Sequence, residues 1–219
     1  DDVWNPEPVA GTQPGHLPGV TNSGWVQSPA NREFNDTSYW HRIERYVTDV
    51  ISHFGEVHRV VYWGLYTERG HVGQGSKSLP LLEATFRWAR AVSPSQPLTT
   101  GSWFHHRKLN SFAHAASDII SFHNYGDLAA LDADIGGLKA FGRPVICTEW
   151  MARTTGSRFE SHLPLLKERG VGAISWGLVS GKTQTIYPWG SPESEQPPSV
   201  WFHDILHPDG TAYIPEEVR

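Results

Sequence analysis

A single cysteine, Cys147, denies this 219-residue chain an internal disulfide and any multi-cysteine metal centre. It lies in an apolar run, so it reads as a buried, inert thiol, and alternation along a strand puts Val145, Cys147 and Glu149 on one face. Charge is sparse as well: 19% of residues are charged, the net charge is −5, and no basic stripe is present. Phosphate backbones demand clustered Lys and Arg, which argues against nucleic acid as the main partner. No apolar stretch reaches membrane length, and the opening Asp1-Asp2-Val3-Trp4-Asn5 has neither the basic nor the apolar region of a secretory leader. The expectation is a cytoplasmic protein without a membrane partner. No phosphate-cradling glycine loop follows a strand, and the 12 histidines lack the HExxH spacing of a zinc enzyme, so no cofactor or metal is expected.

Tryptophan, by contrast, is abundant, with ten copies. Some must fill the core, but indole faces are also surfaces on which the apolar faces of sugar rings stack, and a neutral ligand suits a chain of weak charge. At 38% hydrophobic content the chain can bury a sizeable core, and no linker, repeat or low-complexity tract separates it into parts. We read residues 1–219 as one domain with irregular, Pro- and Gly-rich arms at 1–38 and 189–219.

Between the arms, strand and helix patterns alternate. Apolar residues Ile43, Val47, Val50 and Ile51 recur at helical spacing over 38–54, behind the candidate caps Asp36 and Thr37 and ahead of Gly55. Further helices are expected at 78–92, 108–116, 128–141 and 158–169, and strands at 58–67, 97–103, 118–123, 143–148 and 171–178. Near-continuously apolar strands separated by helices call for a parallel sheet covered by helices.

Two strand runs end in glutamate: Val60-Val61-Tyr62-Trp63-Gly64-Leu65-Tyr66-Thr67-Glu68 and Pro144-Val145-Ile146-Cys147-Thr148-Glu149-Trp150. Either alone could cap a helix or sit solvated in a loop. Together they place two carboxylates where parallel strands meet their loops, the position at which catalytic groups of such folds collect. Cleaving an acetal requires one carboxyl that donates a proton to the leaving oxygen and one that attacks or stabilises the sugar cation.

The order strand–Glu68, strand–Trp103, strand–Phe122-His123-Asn124-Tyr125, strand–Thr148-Glu149-Trp150 and strand–Ser175-Trp176-Gly177 resembles strands four to eight of a clan A glycoside hydrolase, most of all family 5 cellulase-like and β-xylanase-like sequences. The opening Asp2-Val3-Trp4-Asn5-Pro6 resembles the loop after strand three in that group. The resemblance implies a truncated (β/α)₈ barrel of about five parallel strands and a retaining mechanism. Glu68 would be the acid/base and Glu149 the nucleophile, with carboxyl oxygens roughly 5–5.5 Å apart. It further implies that Tyr125 bonds the nucleophile, that His123 lies beside it, that Trp176 is the sugar platform, and that Thr67, Trp103 and Trp4 line the substrate.

The family typically carries Asn-Glu-Pro where this chain has Thr67-Glu68-Arg69, which removes an amide contact to the sugar 2-hydroxyl. Strands one to three have no counterpart. The reading is a retaining β-glycosidase; the alternative is a non-catalytic carbohydrate-binding protein or inactive relic. Five parallel strands cannot close a barrel of eight, so the open edges and an apolar face carrying Val61, Trp63 or Ile146 lead us to expect a homo-oligomer, a dimer or tetramer.

Overall fold

The computed structural model describes residues 9–12, 15–70, 75–103, 106–194 and 196–219. The chain gathers into two compact units, one spanning 26–122 and the other 9–25 with 123–219.

In the first unit a short helix α1 (Asn31–Asn35), unforeseen in the irregular N-terminal arm, precedes α2 (Trp40–Phe54). Asp36 does act as a cap, accepting from the Ser38 amide at the head of the single 3₁₀ turn that leads into α2. Helix α2 buries Val47 and Ile51 on one face and ends at Gly55, as its spacing predicts. Helix α3 (Leu79–Ala91) starts with Pro80 in its first turn, where the missing N–H is harmless, and is buried on most of its circumference through Leu81, Leu82, Phe86 and Trp88. These side chains form one core with Phe34, Leu65, Leu98 and Leu109, the last from α4 (Arg107–Ala116).

Strand β1 (Trp63–Gly64) pairs in parallel with β2 (Leu98–Thr99), in the register Trp63 to Leu98 and Gly64 to Thr99. Farther along, Ser102 makes a parallel bridge to Phe122 of β3 (Ile120–His123). Strands β1 and β2 are far shorter than the apolar runs predict. Tyr66 and Glu68 both take left-handed backbone angles, with φ of 48°, which ends the extended geometry that a ladder needs.

The second unit holds α5 (Leu128–Lys139), capped by the Asp127 carboxylate on the Ala130 amide, then β4 (Val145–Glu149), α6 (Phe159–Glu168) and β5 (Gly172–Ala173). Strand β4 pairs in parallel with β5, Ile146 opposite Gly172 and Cys147 opposite Ala173. Val145 and Cys147 are buried on the expected shared face. Burial pushes the Cys147 thiol up to about 12, so it stays protonated and inert. The expected strand 171–178 stops early, and the chain turns at Gly177.

Gly177 has φ of +82°, and a Cβ there would lie 2.6 Å from the Cβ of His203 and 2.8 Å from Oδ1 of Asp204. Gly177→Ala therefore combines a strained backbone with a clash against buried neighbours. We expect a loss of more than about 1 kcal/mol, read as a lowered urea midpoint at unchanged slope.

Most of the C-terminal arm is irregular, as expected, with one 3₁₀ turn at Pro215–Val218. It is nevertheless anchored, because Trp201, Phe202, His203, Asp204 and Ile205 are all buried. Among the described residues no helix is long and apolar enough to cross a membrane.

Candidate active site

Glu149 closes β4, and its side chain is 15% exposed. The Tyr125 hydroxyl donates to Glu149 Oε2 at 2.8 Å, and His123 Nδ1 lies 3.4 Å from the same oxygen. The Asn124 amide donates to the Glu149 carbonyl at 3.0 Å. Three consecutive residues at the end of β3 thus address one residue at the end of β4. A carboxylate held this way has little rotamer freedom left to lose in a reaction, which is how an enzyme orients a nucleophile. Asn124 itself braces the loop, with its side-chain amide donating to Asp134 and its side-chain oxygen accepting from the Gly126 amide.

Behind the strand end, Trp150 and Met151 are buried. The Trp150 indole stacks on His162 at 6.0 Å with an interplanar angle of 6°. Its carbonyl accepts from the Trp176 amide at 3.0 Å, so the turn after Glu149 also sets the height of Trp176. The Trp176 ring meets Trp25 edge-on at 5.5 Å, and Trp25 is 36% exposed.

Sequence reasoning missed two contributors. Trp189, 43% exposed, packs edge-on against Tyr125 at 5.0 Å, and the buried His203 lies 5.4 Å from the Tyr125 ring. Both belong to a Pro-rich, aperiodic stretch in which no pattern separates inward from outward residues; the run Trp201-Phe202-His203 was the available signal. Burial pushes His203 down to about 4, with the Arg153 charge acting the same way and the bond to Met151 opposing it. Burial also raises the Asp204 carboxyl, whose oxygens accept from the Thr185 hydroxyl.

In the first unit Glu68 sits in the turn after β1 with its left-handed backbone. Thr67 precedes it, half-buried, and Arg69 follows with a fully buried side chain. The Arg69 guanidinium donates to the Thr100 hydroxyl and the Gly101 carbonyl, which ties this turn to the end of β2. The Trp103 indole N–H donates to the Arg69 carbonyl at 3.3 Å. Thr67, Glu68 and Trp103 therefore share one strand-end region of the first unit, whereas His123, Tyr125, Glu149 and Trp176 belong to the second. Trp4 lies outside the described residues.

No family model matches the chain, and neither does any curated protein. Solved structures do. Beta-glucuronidase 2 of Bacteroides uniformis superimposes with a TM-score of 0.59 at 15% identity, over 81% of this chain and 25% of that one. The beta-glucuronidase of Ruminococcus gnavus gives 0.56 at 13% identity, over 80% and 34%. A glycosylated endo-beta-1,4-xylanase of glycoside hydrolase family 10 from Gloeophyllum trabeum gives 0.55 at 14% identity, over 89% and 70%. The fold is similar to part of the barrels of these glycoside hydrolases, an α/β arrangement of short parallel strands with their helices. The chain spans about a quarter of the length of the beta-glucuronidases of Bacteroides uniformis that it matches.

Proposed function

We propose that this chain is a retaining β-glycoside hydrolase that cleaves β-linked sugars. Glu149 attacks the anomeric carbon, Glu68 protonates the leaving oxygen and then activates water, Tyr125 and His123 hold Glu149, Trp176 stacks on the sugar, and Thr67 and Trp103 contribute to binding it. The observation that carries this reading is the seating of Glu149: a strand-end carboxylate with a tyrosine hydroxyl and an imidazole nitrogen on one oxygen. The decisive experiment is a panel of nitrophenyl β-glycosides. It should include glucuronides and xylosides, because proteins named for those activities share the fold. Turnover of at least one member is expected; saturable sugar binding without product from any would favour the non-catalytic reading. That second reading draws on Thr67 standing in place of the family's asparagine and on the exposed indoles of Trp25 and Trp189.

The role of Glu68 has its own signature. Glu68→Gln should lower kcat/KM for poor leaving groups by about 10²–10⁴-fold while sparing kcat/KM for nitrophenyl glycosides, whose leaving group needs little proton donation; kcat falls for both, because the same carboxylate activates the water. Azide added to Glu68→Ala should yield a β-glycosyl azide; an α-azide would overturn the acid/base role, meaning either that Glu68 is the nucleophile or that the reaction inverts.

Self-association extends the proposal. Val61 in the first unit is 72% exposed, and Leu178 and Ile174 in the second are 62% and 47% exposed. Apolar surface of this kind beside parallel strands is covered by a second copy in a closed dimer or tetramer. Light scattering at micromolar concentration is expected to give a multiple of 24.5 kDa; a monodisperse monomer would overturn this.

A further inference from the structure

His203 has no part in the chemistry above, yet it meets both the Tyr125 ring and the Met151 carbonyl, on either side of Glu149 in the second unit. Its Nδ1 lies 2.6 Å from the Met151 carbonyl. A carbonyl can only accept, so Nδ1 carries the hydrogen and Nε2 of the neutral ring is a bare lone pair. The residue is fully buried, and among the described residues Nε2 meets no hydrogen-bond partner. Leaving a buried acceptor unsatisfied is unfavourable, and a phenylalanine or leucine would fill the space without it. The gain that offsets this must lie at Nδ1 and in the ring contacts.

Nδ1 holds a strained point. Met151, two residues past Glu149, has φ of +79°, a left-handed value that a side chain of this kind adopts only where its surroundings over-determine it. The Ser157 hydroxyl takes the Met151 amide at 3.2 Å, and His203 takes its carbonyl. The turn leaving β4 is thereby clamped from both sides. The imidazole face meets Tyr125 at 5.4 Å and Trp189 at 5.5 Å, while Tyr125 and Trp189 meet each other at 5.0 Å. Three rings in mutual contact restrict the tyrosine whose hydroxyl bonds Glu149. The third contact is to the Trp176–Gly177 turn, which approaches the His203 Cβ so closely that only glycine fits.

We propose that His203 is a positioning residue for Glu149, acting through the Met151 hydrogen bond on the backbone behind the carboxylate and through ring packing on the tyrosine that bonds it. The inference rests on the glycosidase reading for its effect on rate, but not for its effect on Tyr125.

Three substitutions separate the two contacts. His203→Asn keeps a donor where Nδ1 lies and loses the ring; His203→Phe keeps a ring and loses the donor; His203→Leu loses both. On a nitrophenyl glycoside turned over by the wild type, kcat of folded His203→Leu should fall about 10- to 100-fold with KM within about twofold, the scale of a displaced catalytic group. Asn and Phe should each recover part of that loss. A kcat of His203→Leu within twofold of wild type would overturn the proposal, as would equal kcat in all three variants. The second readout needs no turnover. With tyrosine labelled at the ring carbon bearing the hydroxyl, and Tyr125 assigned by Tyr125→Phe among the seven tyrosines, the Tyr125 resonance should move in His203→Leu toward its position in Glu149→Gln. A wild type inactive on every glycoside would remove the glycosidase reading and leave the resonance to decide: unchanged in His203→Leu, it refutes positioning.

Discussion

Glu149→Gln is expected to abolish turnover of any glycoside the protein cleaves, lowering kcat by at least about 10⁴-fold, the scale on which loss of a covalent nucleophile is felt. The amide has the shape of the carboxylate, and its oxygen can still accept from the Tyr125 hydroxyl now 2.8 Å away. The fold around β4 is therefore retained, and the variant isolates charge and nucleophilicity from packing. Circular dichroism and melting temperature close to wild type would certify that isolation. A Glu149→Gln enzyme as active as the wild type would refute the nucleophile assignment.

The largest effect on stability is expected at a buried ion pair elsewhere in the second unit. Arg153 and Glu217 form an ion pair with side chains 2% and 5% exposed. The guanidinium donates from Nε and Nη2 to the two carboxylate oxygens at 2.9 and 2.5 Å, from Nη1 to the Trp201 carbonyl at 3.1 Å, and lies 5.1 Å above the Tyr213 ring. Glu217→Ala strands a buried cation and should lower unfolding free energy by about 3–5 kcal/mol. The double variant Arg153→Met with Glu217→Leu removes both charges and is expected to regain most of that loss, because desolvation of the pair cancels much of its attraction. Denaturant melts of the three proteins decide it. A single variant costing under about 1 kcal/mol would place the pair among ordinary surface bridges.

The helices were legible because their cores repeat at 3.6-residue spacing. Val47 and Ile51 in α2, and Leu81, Leu82 and Phe86 in α3, announce their buried faces. Strand positions were legible too, but their lengths were not. Hydropathy marks an apolar run without marking where backbone angles leave the extended region, as at Tyr66 and Glu68. The strand-end position of Glu149 could be read from its apolar run, whereas its contacts to Tyr125 and His123 were expected only through the family resemblance. The C-terminal arm could not be read. Trp201, Phe202, His203 and Ile205 are buried by individual turns and by the Arg153 anchor, none of which leaves a period in the sequence. Arg69 illustrates a different gap: its direction depends on Thr100 and Gly101, some thirty residues away in the chain.

Cys147, two residues before the candidate nucleophile, is fully buried, and its proton is held to about pH 12. A thiol so placed is invisible to alkylating reagents in the native state and reacts only when β4 opens. The chain thus carries a built-in clock for breathing at its own strand end: the labelling rate, divided by that of an exposed thiol, is the fraction of time spent open. Because no second cysteine competes, one mass measurement reads that clock directly, and an occupant seated on Glu149 would slow it in proportion to how tightly it binds.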